Sequence, residues 1–307
     1  MGLTHRLRIA VVSSRAPWHQ SALVGKTLES PLVQTLRNDA TEPIERIVAE
    51  LDRFQPESLV GYASMLRLLA NEQLAGRLRV SPRAVMSASE VLTTESRTRM
   101  RAAWNIEPFD VYAATEPAAI ASECGRHSAL HLYEDLVITE IVDEANRPVP
   151  AGVTGAKVLV TVLFRRSQPL IRYEMSDRVA WLPERCACGR PFALVSPVEG
   201  REEEVLRLLG PSGDRVPVHP NVFHKVLELA PVAEWQIEQD AVGILHLKVA
   251  GAAATLDVVQ LGKNVTAAIT SVGAVPPRVI VERVTTIPRT KLGKAALVLA
   301  YRQMGNP

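Results

Sequence analysis

Tyr112-Ala-Ala-Thr115-Glu116 follows a strand expected over Phe109 to Val111 and places a hydroxyl and a carboxylate at its end, where an α/β sheet presents its chemistry. A Thr-Glu pair in that place also serves as a helix cap or a solvated turn. Three downstream stretches add reactive groups. Ile171-Arg-Tyr-Glu-Met-Ser-Asp177 supplies a second strand-end carboxylate, Gly200-Arg201-Glu-Glu-Glu204 a charged joint, and Pro288-Arg-Thr-Lys-Leu-Gly-Lys294 a Gly-Lys loop. Three cysteines are too few, and odd in number, for a secreted disulfide framework, and their positions suggest metal. Cys186-Ala-Cys188 is a thiolate knuckle, Cys124 a third thiolate, and His127 and His131 compete for a fourth place. Three sulfurs and one imidazole nitrogen complete a closed tetrahedral zinc site, structural because no position is left for substrate.

The 307 residues suffice for a large core and two domains. Hydrophobic residues at 47% fit a globular protein, and 35 basic against 33 acidic residues leave a net charge of +2. That balance gives no electrostatic case for nucleic acid or a lipid surface as partner. No run approaches the ~18 apolar residues of a membrane span, and the start lacks a signal-peptide core, so a cytoplasmic protein is expected. Only seven of the basic residues are lysines, and two of them, Lys291 and Lys294, share one short loop.

The elements that must position these groups follow from periodicity. A buried strand is expected over Arg8 to Ser13, with no clear period from there to about Asn38. Apolar residues at Ile44, Ile47, Val48, Leu51 and Phe54 predict a helix capped by Thr41, with Pro43 in its first turn. Ser58 to Tyr62 reads as a strand, Ala63 to Leu74 as a helix closed by Gly76, Ala84 to Ser87 as a strand, and Thr93 to Ala103 as a helix. This alternation implies a mostly parallel sheet with crossover helices. From His131 the texture turns β-rich, with strands expected at Leu132 to Val142, Ala156 to Leu163 and Asp177 to Leu182. Beyond Gly200 an α+β unit is expected, with strands at Val205 to Leu209, Glu234 to Gln239, Ile244 to Val249 and Arg278 to Glu282. Its helices are expected at Asn221 to Leu229 and Leu256 to Ser271. His19 reads as a loop residue, His219 and His224 as solvent-facing, and no Ser-His-Asp set emerges from the spacing.

From Leu51 to Arg302 the chain resembles the phenylacetate-CoA ligase-like branch of the adenylate-forming enzymes, the superfamily of acyl-CoA synthetases and peptide-synthetase adenylation domains. The resemblance implies an α/β fold: a large adenylate-binding domain over 1–200, mostly parallel sheet plus a β-rich subdomain, and a mobile α+β domain over 201–307. In the Tyr-x-x-Thr-Glu element, Tyr112 would flank adenine, Thr115 touch the α-phosphate and Glu116 hold Mg²⁺, as charge on the phosphoryl oxygens requires. Asp177 would accept the ribose hydroxyls, although Met-Ser precedes it where the family has Thr-Gly. Arg201 would contact ribose or phosphate, and Glu203, replacing the family's Asp, would be the hinge. Lys294, last in Pro-x-Thr-x-x-Gly-Lys, would enter the site during adenylation and withdraw afterwards. Ser89, Glu90 and Ala113 would line the nucleotide side, and Tyr62, Ala63 and Ala114 the acyl pocket, beside Gly61. The family pattern favours His131 over His127 as the partner of Cys124, Cys186 and Cys188 on zinc.

The implied reaction is ATP-dependent activation of an aryl or compact carboxylic acid through an acyl-adenylate, then transfer to coenzyme A or another thiol or amine acceptor. Alternatives are a zinc-stabilised adenylate-binding or partner protein without ATP turnover, and an acyltransferase using a preformed adenylate. The family's Ser/Thr/Gly-rich phosphate loop has no counterpart in Met1 to Leu51, which implies a fragment or a chain that handles ATP differently. A homodimer is left open.

Overall fold

The computed structural model describes residues 6–15, 29–126, 129–200, 204–227, 229–289 and 295–301. Two compact units divide between Val198 and Glu199. Among the described residues no helix is long and apolar enough to cross a membrane.

The first unit opens with β1 (Leu7–Ser13) and β2 (Val33–Asp39), then alternates α1 (Ile44–Phe54), β3 (Ser58–Gly61), α2 (Ala63–Leu74), β4 (Ala84–Ala88), α3 (Thr94–Trp104) and β5 (Phe109–Ala114). Strands β2, β1, β3, β4 and β5 are neighbours in that order and all parallel. The sheet continues from β5 through β6 (Ala118–Ser122), β7 (Leu130–Leu132), β12 (Leu194–Val195) and β11 (Trp181–Leu182), now antiparallel. A separate antiparallel sheet joins β8 (Val137–Val142), β9 (Lys157–Val162) and β10 (Tyr173–Met175). This is the expected α/β fold, a large, mostly parallel sheet with a β-rich attachment.

Helix α1 buries Ile47, Val48 and Leu51 against the sheet, the stripe its 3.6-residue period requires, while Arg46 pairs with Glu50 at 3.2 Å on the outer face. The expected Thr41 cap is not formed. Pro43 occupies the N-cap without a side-chain bond, and Thr41 Oγ1 donates to Asp39 at 2.7 Å because that carboxylate closes a local turn first. Thr93 does cap α3, accepting from the Ser96 amide at 3.1 Å. The strand expected over Asp177 to Leu182 shrinks to β11, and Asp177 stands in the irregular connection after β10.

The second unit holds a hairpin of β13 (Leu206–Leu209) and β14 (Arg215–Val218), helix α4 (Pro220–Leu227), strands β15 (Glu234–Gln239) and β16 (Leu245–Ala250), helix α5 (Val258–Ser271), β17 (Val279–Val284) and β18 (Val298–Leu299). Its sheet runs β17-β16-β15-β18. Alternation sends Trp235, Ile237, Leu247 and Val249 to one face, where Phe223 of α4 and Leu261, Val265 and Ile269 of α5 cover them. His224 is buried instead of solvent-facing: its ring meets Trp235 edge-on at 5.1 Å, since α4 turns that side toward the sheet. Short β14 and β18 carry no periodic signal long enough to have been expected.

The opposite sheet face is polar. His246 Nδ1 lies 2.7 Å from Glu282, its Nε2 3.1 Å from Asp240, and Lys248 pairs with Glu238 at 2.5 Å. Hydrogen bonding to Glu282, then to Asp240, holds the imidazole pKa above its ordinary value. Because the folded pKa is the higher one, this stabilisation is fully present below the unfolded value of about 6.5 and is lost as pH rises through the folded value. Urea midpoints of the wild-type protein are therefore expected to fall above about pH 6.5 relative to those of His246→Gln. Parallel pH profiles for the two proteins would contradict the pairing.

Candidate functional site

The C-terminal ends of β3, β4 and β5 lie side by side, and each delivers residues expected at a site. β3 leads into Tyr62 and Ala63, β4 into Ser89 and Glu90, and β5 into Thr115 and Glu116. Close spacing at this edge needs Gly61, where a Cβ would stand 2.9 Å from the Val12 carbonyl on β1. Strand β5 runs beyond Val111 and includes Tyr112, Ala113 and Ala114, so Thr115 and Glu116 occupy the exposed turn of a β5–β6 hairpin. A register shift between Tyr112 and Ala113 marks a bulge there, a device that re-aims side chains. Ser89, Ala118 and Arg172 have φ of 69°, 71° and 49°. Left-handed backbone at non-glycine residues costs on the order of 1–3 kcal/mol each, and Ser89 and Ala118 stand at this edge, after β4 and at the start of β6.

One tyrosine–carboxylate bond joins the Tyr112 to Glu116 stretch to the Tyr173 to Asp177 stretch: the buried Tyr112 hydroxyl donates to Asp177 Oδ2 at 3.0 Å. Burial, then the Glu116 charge, raises the Tyr173 pKa. The Glu90 carboxylate accepts from the Ser64 amide at 2.8 Å in the first turn of α2. Tyr62 and Ala63, expected in an acyl pocket, are buried core residues. Tyr62 is 1% exposed, and its hydroxyl accepts from the Ser14 amide at 3.0 Å, which leaves almost no surface for a ligand. Arg201, Glu203 and Lys294, like His19 and His127, lie outside the described residues.

Cys124, His131, Cys186 and Cys188 converge, their ligand atoms all within 4.8 Å of one another. Cys124 follows β6, His131 lies in β7 opposite Leu194 of β12, and the two other cysteines sit in the turn between β11 and β12. Gly189, at φ 81°, lets that turn close. Cys124 Sγ is 3.6 Å from Cys186 Sγ, and His131 Nε2 is 3.4 Å from Cys188 Sγ. Ligands about 2.0–2.3 Å from a tetrahedral zinc stand roughly 3.5–3.8 Å apart, so the donor set and its spacing fit that ion. The Arg190 backbone amide is the leading cause that brings the Cys188 pKa down to about 7, and burial lowers that of His131; both effects favour the ligating forms.

No protein-family model matches the chain. It is 28% identical over 204 residues to a phenylacetate-coenzyme A ligase of Thermus thermophilus, a match spanning 63% of this chain and 44% of that enzyme. Protein CapK of Staphylococcus aureus is 24% identical over 156 residues, covering 50% and 33% of the two chains. The chain thus spans less than half the length of the curated relatives it matches. Among solved structures, 2-hydroxyisobutyryl-CoA ligase with R3-HIB-AMP superposes with a TM-score of 0.80 at 20% identity, over 98% of this chain and 67% of that one. Anthranilate CoA ligase with anthranoyl-AMP gives 0.67 at 18% identity, over 96% and 59%. In sequence the chain is similar to phenylacetate-CoA ligases, and in fold to CoA ligases solved with acyl-adenylates.

The first unit has a further buried cluster that periodicity did not point to. Arg97 of α3 donates to both Glu123 carboxylate oxygens at 2.7 and 3.2 Å, to Glu107 at 3.1 Å and to the Pro108 carbonyl at 2.7 Å. Glu123 also accepts from the Asp110 amide at 3.0 Å and directly precedes Cys124. Burial, then the Glu123 charge, pushes the Asp110 pKa up to about 7. The one clue in the sequence was an acid beside a cysteine, and its arginine partner is 26 positions away. Replacing Arg97 by Met leaves Glu123, only 2% exposed in its side chain, without its guanidinium. A loss of about 3–5 kcal/mol is expected in urea unfolding, and a change below about 1 kcal/mol would contradict the arrangement.

Proposed function

We propose that the chain activates a carboxylic acid by adenylation and passes the acyl group to coenzyme A. The observation that carries this reading is the Tyr112–Asp177 hydrogen bond, which unites two motif stretches 65 residues apart beside the exposed Thr115-Glu116 turn. In the first half-reaction a carboxylate oxygen of the acid attacks the α-phosphorus of ATP, and the bond to pyrophosphate breaks with its electron pair leaving on pyrophosphate. In the second, the coenzyme A sulfur attacks the acyl carbon, its proton passes to solvent and AMP leaves.

Tyr112 and Ala113 flank the adenine, with Ser89 and Glu90 on the neighbouring strand end, and Asp177 accepts from the ribose hydroxyls. Thr115 donates to an α-phosphate oxygen. Glu116 would hold magnesium, which when bound supplies positive charge beside the phosphates. Lys294 delivers an ammonium to the same oxygens, Arg201 contacts ribose or phosphate, and Glu203 serves as the hinge. These roles put fixed hydroxyl and cationic groups where the transition state gathers negative charge. Ala114 borders the acyl group. The named substrates of the relatives, phenylacetate, anthranilate, benzoate and 2-hydroxyisobutyrate, favour an aryl or compact acid. Cys124, His131, Cys186 and Cys188 would hold a structural zinc, cross-linking β6, β7 and the β11–β12 turn.

ATP–pyrophosphate exchange with those four acids tests the reading. Exchange with at least one of them is expected, together with a loss on the order of 100-fold in Lys294→Ala. AMP binding without any exchange would instead favour an adenylate-binding protein. Metal analysis under reducing conditions is expected to give about one zinc per chain, and markedly less in Cys186→Ser. Wild-type protein well below that content would reject the zinc assignment.

A further inference from the structure

Strand β6 ends at Ser122, and Cys124, one of the four clustered metal-ligand residues, stands two positions beyond it. A thiolate on an unpaired strand exit inherits two soft backbone torsions per residue, while a tetrahedral ion tolerates little misplacement of its ligands. Glu123 removes that freedom. Its amide donates to the Asp110 carbonyl at 3.0 Å, and its carboxylate accepts from the Asp110 amide at 3.0 Å. One residue of β5 is thereby gripped by both the main chain and the side chain of the residue that precedes the ligand.

Arg97 holds the carboxylate in that grip. Its guanidinium donates to both Glu123 oxygens at 2.7 and 3.2 Å, and also to Glu107 at 3.1 Å and the Pro108 carbonyl at 2.7 Å, just ahead of β5. The arginine stands on a fixed mount, since α3 is capped by Thr93 and buries Met100 and Trp104 in the core. A planar fork that meets both oxygens of a carboxylate fixes its orientation, which a lysine ammonium does not. On the ligand side, the Arg126 amide donates to Cys124 Sγ at 3.4 Å, and that sulfur lies 3.6 Å from Cys186 Sγ.

We infer that Arg97 is a positioning residue for the metal site: through Glu123 it fixes the exit of β6 and so sets where the Cys124 thiolate stands relative to His131, Cys186 and Cys188. Holding that thiolate in place before the ion arrives lowers the ordering cost of binding. Partners that orient a ligand in this way change metal affinity by roughly 10–100-fold when they are removed. The inference rests on the zinc reading for the identity of the ion, whereas the bonds among Arg97, Glu123 and Asp110 do not depend on it.

Zinc affinity by chelator competition, and the absorption spectrum of the cobalt-substituted protein, test this on the full chain at a temperature where circular dichroism shows the variants folded. Arg97→Lys keeps the charge and loses the fork. Its zinc affinity is expected to fall about tenfold, with weaker thiolate-to-cobalt charge-transfer absorption because Cys124 no longer ligates in every molecule. Glu123→Gln keeps an oxygen for the Asp110 amide and gives up the charge. It is expected to lose affinity in the same direction, and it decides the matter if Arg97→Lys does not fold. Met100→Ala opens a cavity under the same helix, and is expected to lower the melting temperature while both metal readouts stay at their wild-type values. Wild-type affinity and cobalt spectra in the Arg97 and Glu123 variants overturn the positioning role, as does an equal loss in Met100→Ala. Wild-type protein that binds neither ion rejects the zinc assignment and this inference with it, whereas a metal-binding wild type with unaffected variants rejects the inference alone.

Discussion

A buried phenol bonded to a buried carboxylate links the two halves of the first unit's candidate site. Tyr112 is 7% and Asp177 6% exposed, and the bond between them connects the last parallel strand, β5, to the irregular connection that follows β10. Hydrogen bonds to charged groups stabilise by roughly 1.5–3 kcal/mol, and removing one partner of a buried pair costs more than the bond's net value. A connection with little regular hydrogen bonding of its own thereby acquires a defined place beside the strand ends.

Two further side-chain clusters mark the same unit. Four potential ligand atoms gather where β6, β7 and the β11–β12 turn meet. Immediately before the first of these ligands, Glu123 receives the Arg97 guanidinium and the Asp110 amide, so the same stretch is anchored to α3 and to β5. With this support, the edge of β3, β4 and β5 can hold strained backbone at Ser89 and Ala118 that isolated turns would relax.

Local pattern was a good guide wherever neighbours a few positions apart decide the outcome. The apolar stripe of α1, the Thr93 cap of α3 and the strand-helix alternation that makes a parallel sheet are all legible, because each depends on periodicity or on a bond within one turn. Thr41 was misjudged because Asp39, two residues earlier, competes for its hydroxyl. His224 was misjudged because a polar residue on an amphipathic helix can still face inward when an aromatic ring receives it. The extension of β5 through Ala114 is stabilised by antiparallel pairing with β6, which no pattern within Tyr112 to Glu116 reveals.

The sequence by itself determined which side chains were available and in what order: the Thr-Glu pair, the downstream Asp, three cysteines and two candidate histidines. Tertiary structure alone decided that Tyr112 meets Asp177, that Cys124 meets Cys186 and that His131 meets Cys188, across separations of 65, 62 and 57 residues. Such pairings depend on closing long loops, whose entropic cost is nearly the same for many alternative partners. Strand register and burial, properties of the assembled sheet, select among them.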